Sequence, residues 1–154
     1  MDPATITTLT IPMSCLPLSG GCMKPKELKA ESVTIWGTGT PLLEFLYSED
    51  LARACVFLME NVDYQDIAFE DASGTVQAHI NIGSGEEISI RQLAELIRDI
   101  VGFKGALVFD ASKSDGTPRK LMDSYRLRKL GWRPEIGLEK GIELAYQDFL
   151  MRVA

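Results

Sequence analysis

The sequence predicts an α/β fold, a small mixed sheet with several helices, and three observations lead there. Short β-branched or aromatic runs such as Val33-Thr34-Ile35-Trp36 and Leu107-Val108-Phe109 recur between longer amphipathic stretches. Glycines punctuate the ends of these runs, at Gly37 and Gly83. Ser89-Ile90-Arg91-Gln92 has the spacing of a capping box that opens a helix. Strands alternating with amphipathic helices are the signature of α/β packing.

The elements follow in order. Val33–Trp36 is the first strand, and Phe45-Leu46-Tyr47 is a second short apolar run. Ser48 then caps a helix, with Glu49 and Asp50 in the first turn, where the helix dipole favours acids. Leu51, Ala54, Cys55, Leu58 and Met59 fall on one face of that helix and are expected to be buried. Residues 61–77 are polar and read as an irregular connection. Ala78-His79-Ile80-Asn81-Ile82 reads as a strand. The helix after Ser89 carries the stripe Ile90, Leu93, Ala94, Ile97 and Val101, with Gly102 placed to end it. Leu107–Phe109 is a further strand. Residues 123–130 form a short helix closed at Gly131, and Leu138, Ile142, Ala145 and Phe149 mark the last helix.

Composition narrows the function classes. A chain of 154 residues, 45% apolar and 25% charged, fits one domain with a core. A net charge of −6 argues against a nucleic-acid partner, which calls for a basic face. No apolar run approaches the roughly 20 residues that span a bilayer. The start has no basic n-region, so a signal peptide is not expected. Cys15, Cys22 and Cys55 have no metal-ligand spacing, and three cysteines without a framework suit a reducing cytoplasm. Cys55 is expected to be a small core residue, His79 to be structural, and Arg126 and Arg128 to be surface charges.

Two loops carry the chemistry. Phe109-Asp110-Ala111-Ser112-Lys113-Ser114-Asp115-Gly116-Thr117-Pro118-Arg119-Lys120 holds three cations around a Gly-Thr-Pro turn. Such a loop suits an anion or a sugar. Far upstream stands Trp36-Gly37-Thr38-Gly39-Thr40-Pro41. The chain shows no glycine-rich dinucleotide fingerprint and no catalytic acid–base set. This pair of loops, with Asn81-x-Gly83 and Leu130-Gly131-Trp132, resembles the C-terminal half of the GDP-L-fucose synthase family, the GDP-4-keto-6-deoxy-mannose epimerase/reductases. That family lies within the extended short-chain dehydrogenase/reductase superfamily, and the resemblance covers about residues 30–150.

The resemblance implies the substrate domain of such an enzyme, without the Rossmann domain. In the family that missing domain holds NADP(H) and a Ser-Tyr-Lys set, while a Cys and a His serve the epimerisations. None has a counterpart here, so no catalytic, cofactor-binding or metal-binding residue is assigned, and NADP(H) is not expected to bind this chain. The implied partner is a GDP-sugar, with Trp36 packing near it and Asp115 and Lys120 contacting it by hydrogen bond and charge. For the full-length form a homodimer is a possibility. Two other readings stay open: a non-catalytic GDP-sugar module, alone or paired with a separate Rossmann subunit, and a UDP-sugar epimerase, which the second loop disfavours.

Three positions depart from the family pattern. Leu43 stands where an arginine is expected to hold the diphosphate. Loss of one charge-assisted hydrogen bond, about 1.5–3 kcal/mol, corresponds to roughly 10–100-fold weaker binding. Ser48-Glu49-Asp50 replaces Val-Asp-Asp, and Ser114 replaces a proline. Residues 1–26 match no family segment. Back-translated with suitable codons and read two nucleotides downstream, they give GPGDNYDPDNSHVLPALIRRMHEAK, close to the family's segment at this place. An out-of-frame read is one account, and a natural low-complexity arm the other. The expected division is residues 1–30 as an atypical arm and residues 31–154 as the GDP-sugar-binding domain.

Overall fold

The computed structural model describes residues 31–153, so the arm and its reading frame lie outside the described residues. The elements are β1 (Ser32–Trp36), β2 (Leu42–Glu44), α1 (Ser48–Asn61), α2 (Tyr64–Ile67), β3 (Phe69–Glu70), β4 (Val76–Gln77), β5 (Glu87–Ser89), α3 (Ile90–Val101), β6 (Ala106–Asp110), β7 (Arg119–Lys120), α4 (Tyr125–Lys129) and α5 (Leu138–Val153). The α/β class holds. Strands β1 and β6 pair in parallel, from Ser32 opposite Ala106 to Trp36 opposite Asp110. Strand β2 lies between β5 and β7, antiparallel to β5 and parallel to β7, which makes this sheet mixed.

Helix α3 forms where the sequence places it. Ser89 Oγ accepts from the Gln92 amide at 3.2 Å, and Gln92 Oε1 accepts from the Ser89 amide at 3.1 Å. Gly102 closes the helix in the left-handed region, with φ 73°. The stripe buries Leu93, Ala94 and Ile97, and Leu93 and Ile97 pack with Ile142 of α5.

Helix α1 departs from its predicted face. Ser48 is its first residue rather than its cap, and Tyr47 precedes it with no side-chain cap bond. Cys55 is exposed, and Met59 is 86% exposed. Asp50 is the reason. Its carboxylate is buried and Oδ2 accepts from the amides of Glu135 at 3.2 Å and Ile136 at 2.8 Å. That anchorage turns Ala54, Phe57 and Leu58 towards Leu46, Leu127 and Trp132.

Three further expectations are corrected. Residues 78–82 form no strand, because no neighbouring strand among the described residues offers a ladder. Ile80 and Ile82 still pack on the Leu127–Trp132 cluster. Arg126 and Arg128 are not idle surface charges. Arg126 donates to the carbonyls of His79 and Ile67 and lies 4.4 Å from the Phe69 ring centroid, and Arg128 donates to buried Ser124 Oγ at 2.7 Å. The 61–77 connection is ordered as α2 and a β3–β4 hairpin.

Asp71 builds that hairpin turn. Its Oδ1 accepts from the Ser73 hydroxyl at 2.6 Å, the Ser73 amide at 2.9 Å and the Thr75 amide at 3.1 Å, and Oδ2 accepts from Gln77 at 3.0 Å. The Ser73 hydroxyl first, then Gln77 and the two amides, hold its carboxyl down at about 2. Because the folded value is depressed, the hairpin's stabilisation is fully present above the unfolded value of about 3.9. It is lost as pH falls through about 2. Carboxyl NMR across an acid titration should place the Asp71 midpoint near 2, and a midpoint at an ordinary aspartate value contradicts this account.

Candidate functional site

Parallel strands β1 and β6 end side by side, and the two loops of interest leave from that shared end. Ligands of open α/β sheets bind outside the carboxyl ends of strands. The Gly37 amide donates back to the Asp110 carbonyl at 2.9 Å, and the Leu42 amide donates to the Pro118 carbonyl at 3.0 Å, so the loops run together at both ends.

Between those ends Asp115 joins them. Its Oδ1 accepts from the Thr38 amide at 2.6 Å and its Oδ2 from the Thr38 hydroxyl at 2.8 Å. Thr38 Oγ1 also lies 2.7 Å from Thr40 Oγ1. Gly37, at φ 92°, makes the approach feasible, since a Cβ there would lie 2.3 Å from Asp115 Oδ1. A Cβ on Gly39 would lie 2.6 Å from the Phe109 ring. The space over this Gly-Thr-Gly turn is thus filled by the protein's own side chains, and it does not form a cradle for a dinucleotide. Arg91, at the start of α3, braces the turn by donating to the Thr38 carbonyl at 3.0 Å, with its guanidinium 3.8 Å from the Phe109 ring centroid.

Trp36 sits at the tip of β1, 45% exposed, with Lys113 Nζ 5.7 Å from its ring. The Lys113 amide donates to the Asp110 carbonyl at 3.1 Å. Asp110 Oδ1 accepts from the Ser112 hydroxyl at 2.6 Å and from its amide at 3.0 Å. Those two bonds, with a smaller contribution from the Lys113 charge, hold the Asp110 carboxyl below its ordinary value.

The three expected site residues therefore divide. Trp36 and Asp115 belong to the joined loops, whereas Lys120 lies on β7, in register with Leu43. Its neighbour Arg119 forks onto Glu87, with bonds of 2.8 and 3.0 Å. The Glu87 hydrogen bond and charge raise the Arg119 pKa. Sequence reasoning missed the Thr38 contact, Arg91 and Lys113. Only Lys113 had a local signal, its place three residues after a turn-forming aspartate. A cleft of about 370 Å³, lined by Phe45, Tyr47, Ile142, Ala145 and Asp148 among others, lies along α5 and includes none of these residues. No helix among the described residues is long and apolar enough to cross a membrane.

A parallel strand pair carrying two interlocked loops stands at one end of this α/β fold, and comparisons with known proteins add to that picture. Residues 22–83 match the NAD dependent epimerase/dehydratase family. The curated relatives that the chain matches include several GDP-L-fucose synthases. It is 49% identical to GDP-L-fucose synthase 1 of Arabidopsis thaliana over 124 residues, 80% of this chain and 35% of that protein. It is 48% identical to GDP-L-fucose synthase of Escherichia coli (strain K12) over 121 residues, 79% of this chain and 37% of that protein. Among solved structures it resembles MlghC, the GDP-mannoheptose C4 reductase from Campylobacter jejuni with NADP bound. The TM-score is 0.66 at 40% identity, over 78% of this chain and 35% of that one. The chain thus spans little more than a third of the length of these relatives.

Gly37→Ala tests the close approach of the loops. A side chain at φ 92° costs about 1–3 kcal/mol in backbone strain alone, and it also displaces Asp115. Urea denaturation should show a loss of at least that strain, and an unchanged midpoint contradicts the packing described.

Proposed function

We propose that residues 31–154 form the GDP-sugar-binding domain of a GDP-L-fucose synthase-type enzyme. The observation that carries this reading is the union of the Trp36–Pro41 and Asp110–Lys120 loops at the carboxyl ends of β1 and β6. Trp36 offers an aromatic face to the sugar nucleotide, and Lys120 offers a cation beside Leu43 on the neighbouring sheet. The complete enzyme would epimerise two carbons of GDP-4-keto-6-deoxy-mannose and reduce its keto group with NADPH. NADP accompanies one of the relatives above. Asp115 and Phe109 fill the glycine turn, so that one turn offers no cradle for the coenzyme. The part of this chain is to bind and orient the nucleotide.

One observation suits a further domain packed on this one, in the same polypeptide or, as the alternative has it, in a separate Rossmann subunit. Residues 78–82 have a strand-like sequence and are mostly half-buried, yet make no backbone–backbone hydrogen bond among the described residues. Backbone groups in that state call for a partner.

Calorimetry with GDP and UDP tests the first reading. GDP should bind, and more tightly than UDP; a preference for UDP points to a UDP-sugar enzyme, and no binding to either overturns the assignment. Leu43→Arg should tighten GDP binding by roughly 10–100-fold. The 154-residue chain should not oxidise NADPH with GDP-4-keto-6-deoxy-mannose, and turnover by it alone overturns the division of labour.

A further inference from the structure

We propose that the cleft along α5 is the seat of an amphipathic helix, the segment VLPALIRRMHEAK obtained when residues 1–26 are back-translated and read two nucleotides downstream. This chain does not contain that segment in its own frame. The proposal rests on the shifted-frame reading of residues 1–26 and not on the GDP-sugar reading.

The cleft holds about 370 Å³ and follows one face of α5, where Leu138, Ile142, Ala145 and Asp148 fall at helical spacing, with Phe45 and Tyr47 also lining it. It opens onto the second apolar cluster. Ile142 is buried there with Leu93 and Ile97 of α3, whereas Phe45 and Leu138, packed on the same residues, stay partly exposed. A core edge left open to water favours an apolar cover. The charged liners Asp148 and Arg152 pair with each other at 2.8 Å, and both are more than half exposed, so they belong to the rim. An apolar floor with a polar edge is a seat for an amphipathic element rather than for a small anion.

The shifted-frame segment has the pattern that suits such a floor. Counted from the leucine before its proline, a leucine, an isoleucine, a methionine and an alanine follow at i+3, i+4, i+7 and i+10, which is one helical stripe. The proline comes directly after that first leucine, a place it tolerates in the opening turn of a helix. The two arginines and the glutamate fall on the other face. Anchors at i, i+3, i+4 and i+7 are how a helix lies in an apolar groove. Two arginines and a lysine against one glutamate make the segment cationic, and the chain carries a net −6, so the two attract. In their own frame residues 1–26 carry no such stripe.

The segment also lies within reach. In the shifted frame it runs up to Lys26, a short connection before β1 begins at Ser32. The Ala106 amide donates to the Glu31 carbonyl at 2.9 Å, and Ala106 follows closely on the Gly102 stop of α3. The chain therefore enters β1 near the C-terminal end of α3. Ile97, which packs with Ile142 of the cleft, precedes Gly102 by five residues. That is about 8 Å along the helix at 1.5 Å per residue, and a packed helix lies about 8–10 Å across. The segment, roughly 20 Å long as a helix, covers that distance without crossing the fold.

Calorimetry with the synthetic peptide VLPALIRRMHEAK and the 154-residue chain tests the docking. The peptide should bind one to one, and a scrambled peptide of the same composition should not. Ala145→Phe fills the cleft and should weaken the peptide by about tenfold or more. Ala145→Ser leaves the cleft open and should bind like wild type, and circular dichroism shows whether each variant folds. If Ala145→Phe does not fold, a second measurement decides. A chain whose residues 1–26 are replaced by the shifted-frame sequence should melt higher than wild type and take no peptide, because its cleft is filled in cis. Equal binding to wild type and Ala145→Phe puts the peptide elsewhere and overturns the proposal. No binding, with unchanged melting of the restored chain, overturns it as well. A dimer in sedimentation that is lost in Ala145→Phe gives the cleft to a second copy, which also overturns it. The nucleotide sequence across codons 1–30 separates the two ways of failing. If the shifted frame spells the segment and the peptide does not bind, the reading stands and the docking is wrong. If it does not spell the segment, the reading is wrong and the proposal falls with it.

Discussion

The Glu44 carboxylate is the contact on which the rest of the arrangement depends. It stands at the end of β2, the middle strand of its sheet, and accepts from the Gly85 amide at 2.6 Å and the Met122 amide at 2.9 Å. Ser84 Oγ adds a longer contact at 3.4 Å. Three segments far apart in sequence therefore meet on one side chain. Each bond to a charged acceptor contributes about 1.5–3 kcal/mol, which is large for strands of two or three residues. Gly83 is required because a Cβ there would lie 2.5 Å from Glu44 Oε1. Short strands alone would not fix where β7 starts and ends. With Met122 held to Glu44, Arg119 and Lys120 are fixed opposite Leu42 and Leu43.

The same device recurs where the helices join the sheet. Asp50 holds the segment after Trp132 through two backbone amides, and Asp115 holds the Trp36 loop through Thr38. The apolar core is divided between a cluster around Leu127 and Trp132 and another around Leu93, Ile97 and Ile142. Neither cluster contains the loops that carry the proposed site. Their placement depends on carboxylates binding backbone, which is directional in a way that apolar burial is not. A fold built like this can keep an exposed tryptophan and lysine in fixed positions without burying them.

What could be read from the sequence follows the same division. Periodicity located α3 and its buried face, since Leu93, Ala94 and Ile97 obey the helical spacing and Ser89 and Gln92 form a local cap. Strands β1 and β6 were legible because β-branched and aromatic residues cluster there. Helix α1 was misread at Cys55 and Met59, because the polar Asp50 sets its rotation and a hydrophobic pattern gives an acid no weight. Residues 78–82 were read as a strand from composition, but a strand also needs an adjacent ladder, which no local pattern reports. Family resemblance singled out Trp36, Asp115 and Lys120. It could not show that Asp115 faces Thr38, because that bond exists only after β1 and β6 have paired.

The charge balance brings these threads together. The chain carries a net −6, which by itself would repel a nucleoside diphosphate. Screening limits that repulsion to about 8 Å at physiological ionic strength, so the charges lining the loops decide whether an anion is attracted. There each acid is engaged by donors of the protein itself. Glu87 is forked to Arg119, Asp110 is held by Ser112, and Asp115 is closed on Thr38. Glu44 faces the amides of Gly85 and Met122. The Lys113 ammonium stands beside the Trp36 ring at the same strand ends. The bonds that stiffen the loops thus also occupy the acceptor sites of these carboxylates, so one set of contacts sets both the shape of the loops and which polar groups stay open to solvent.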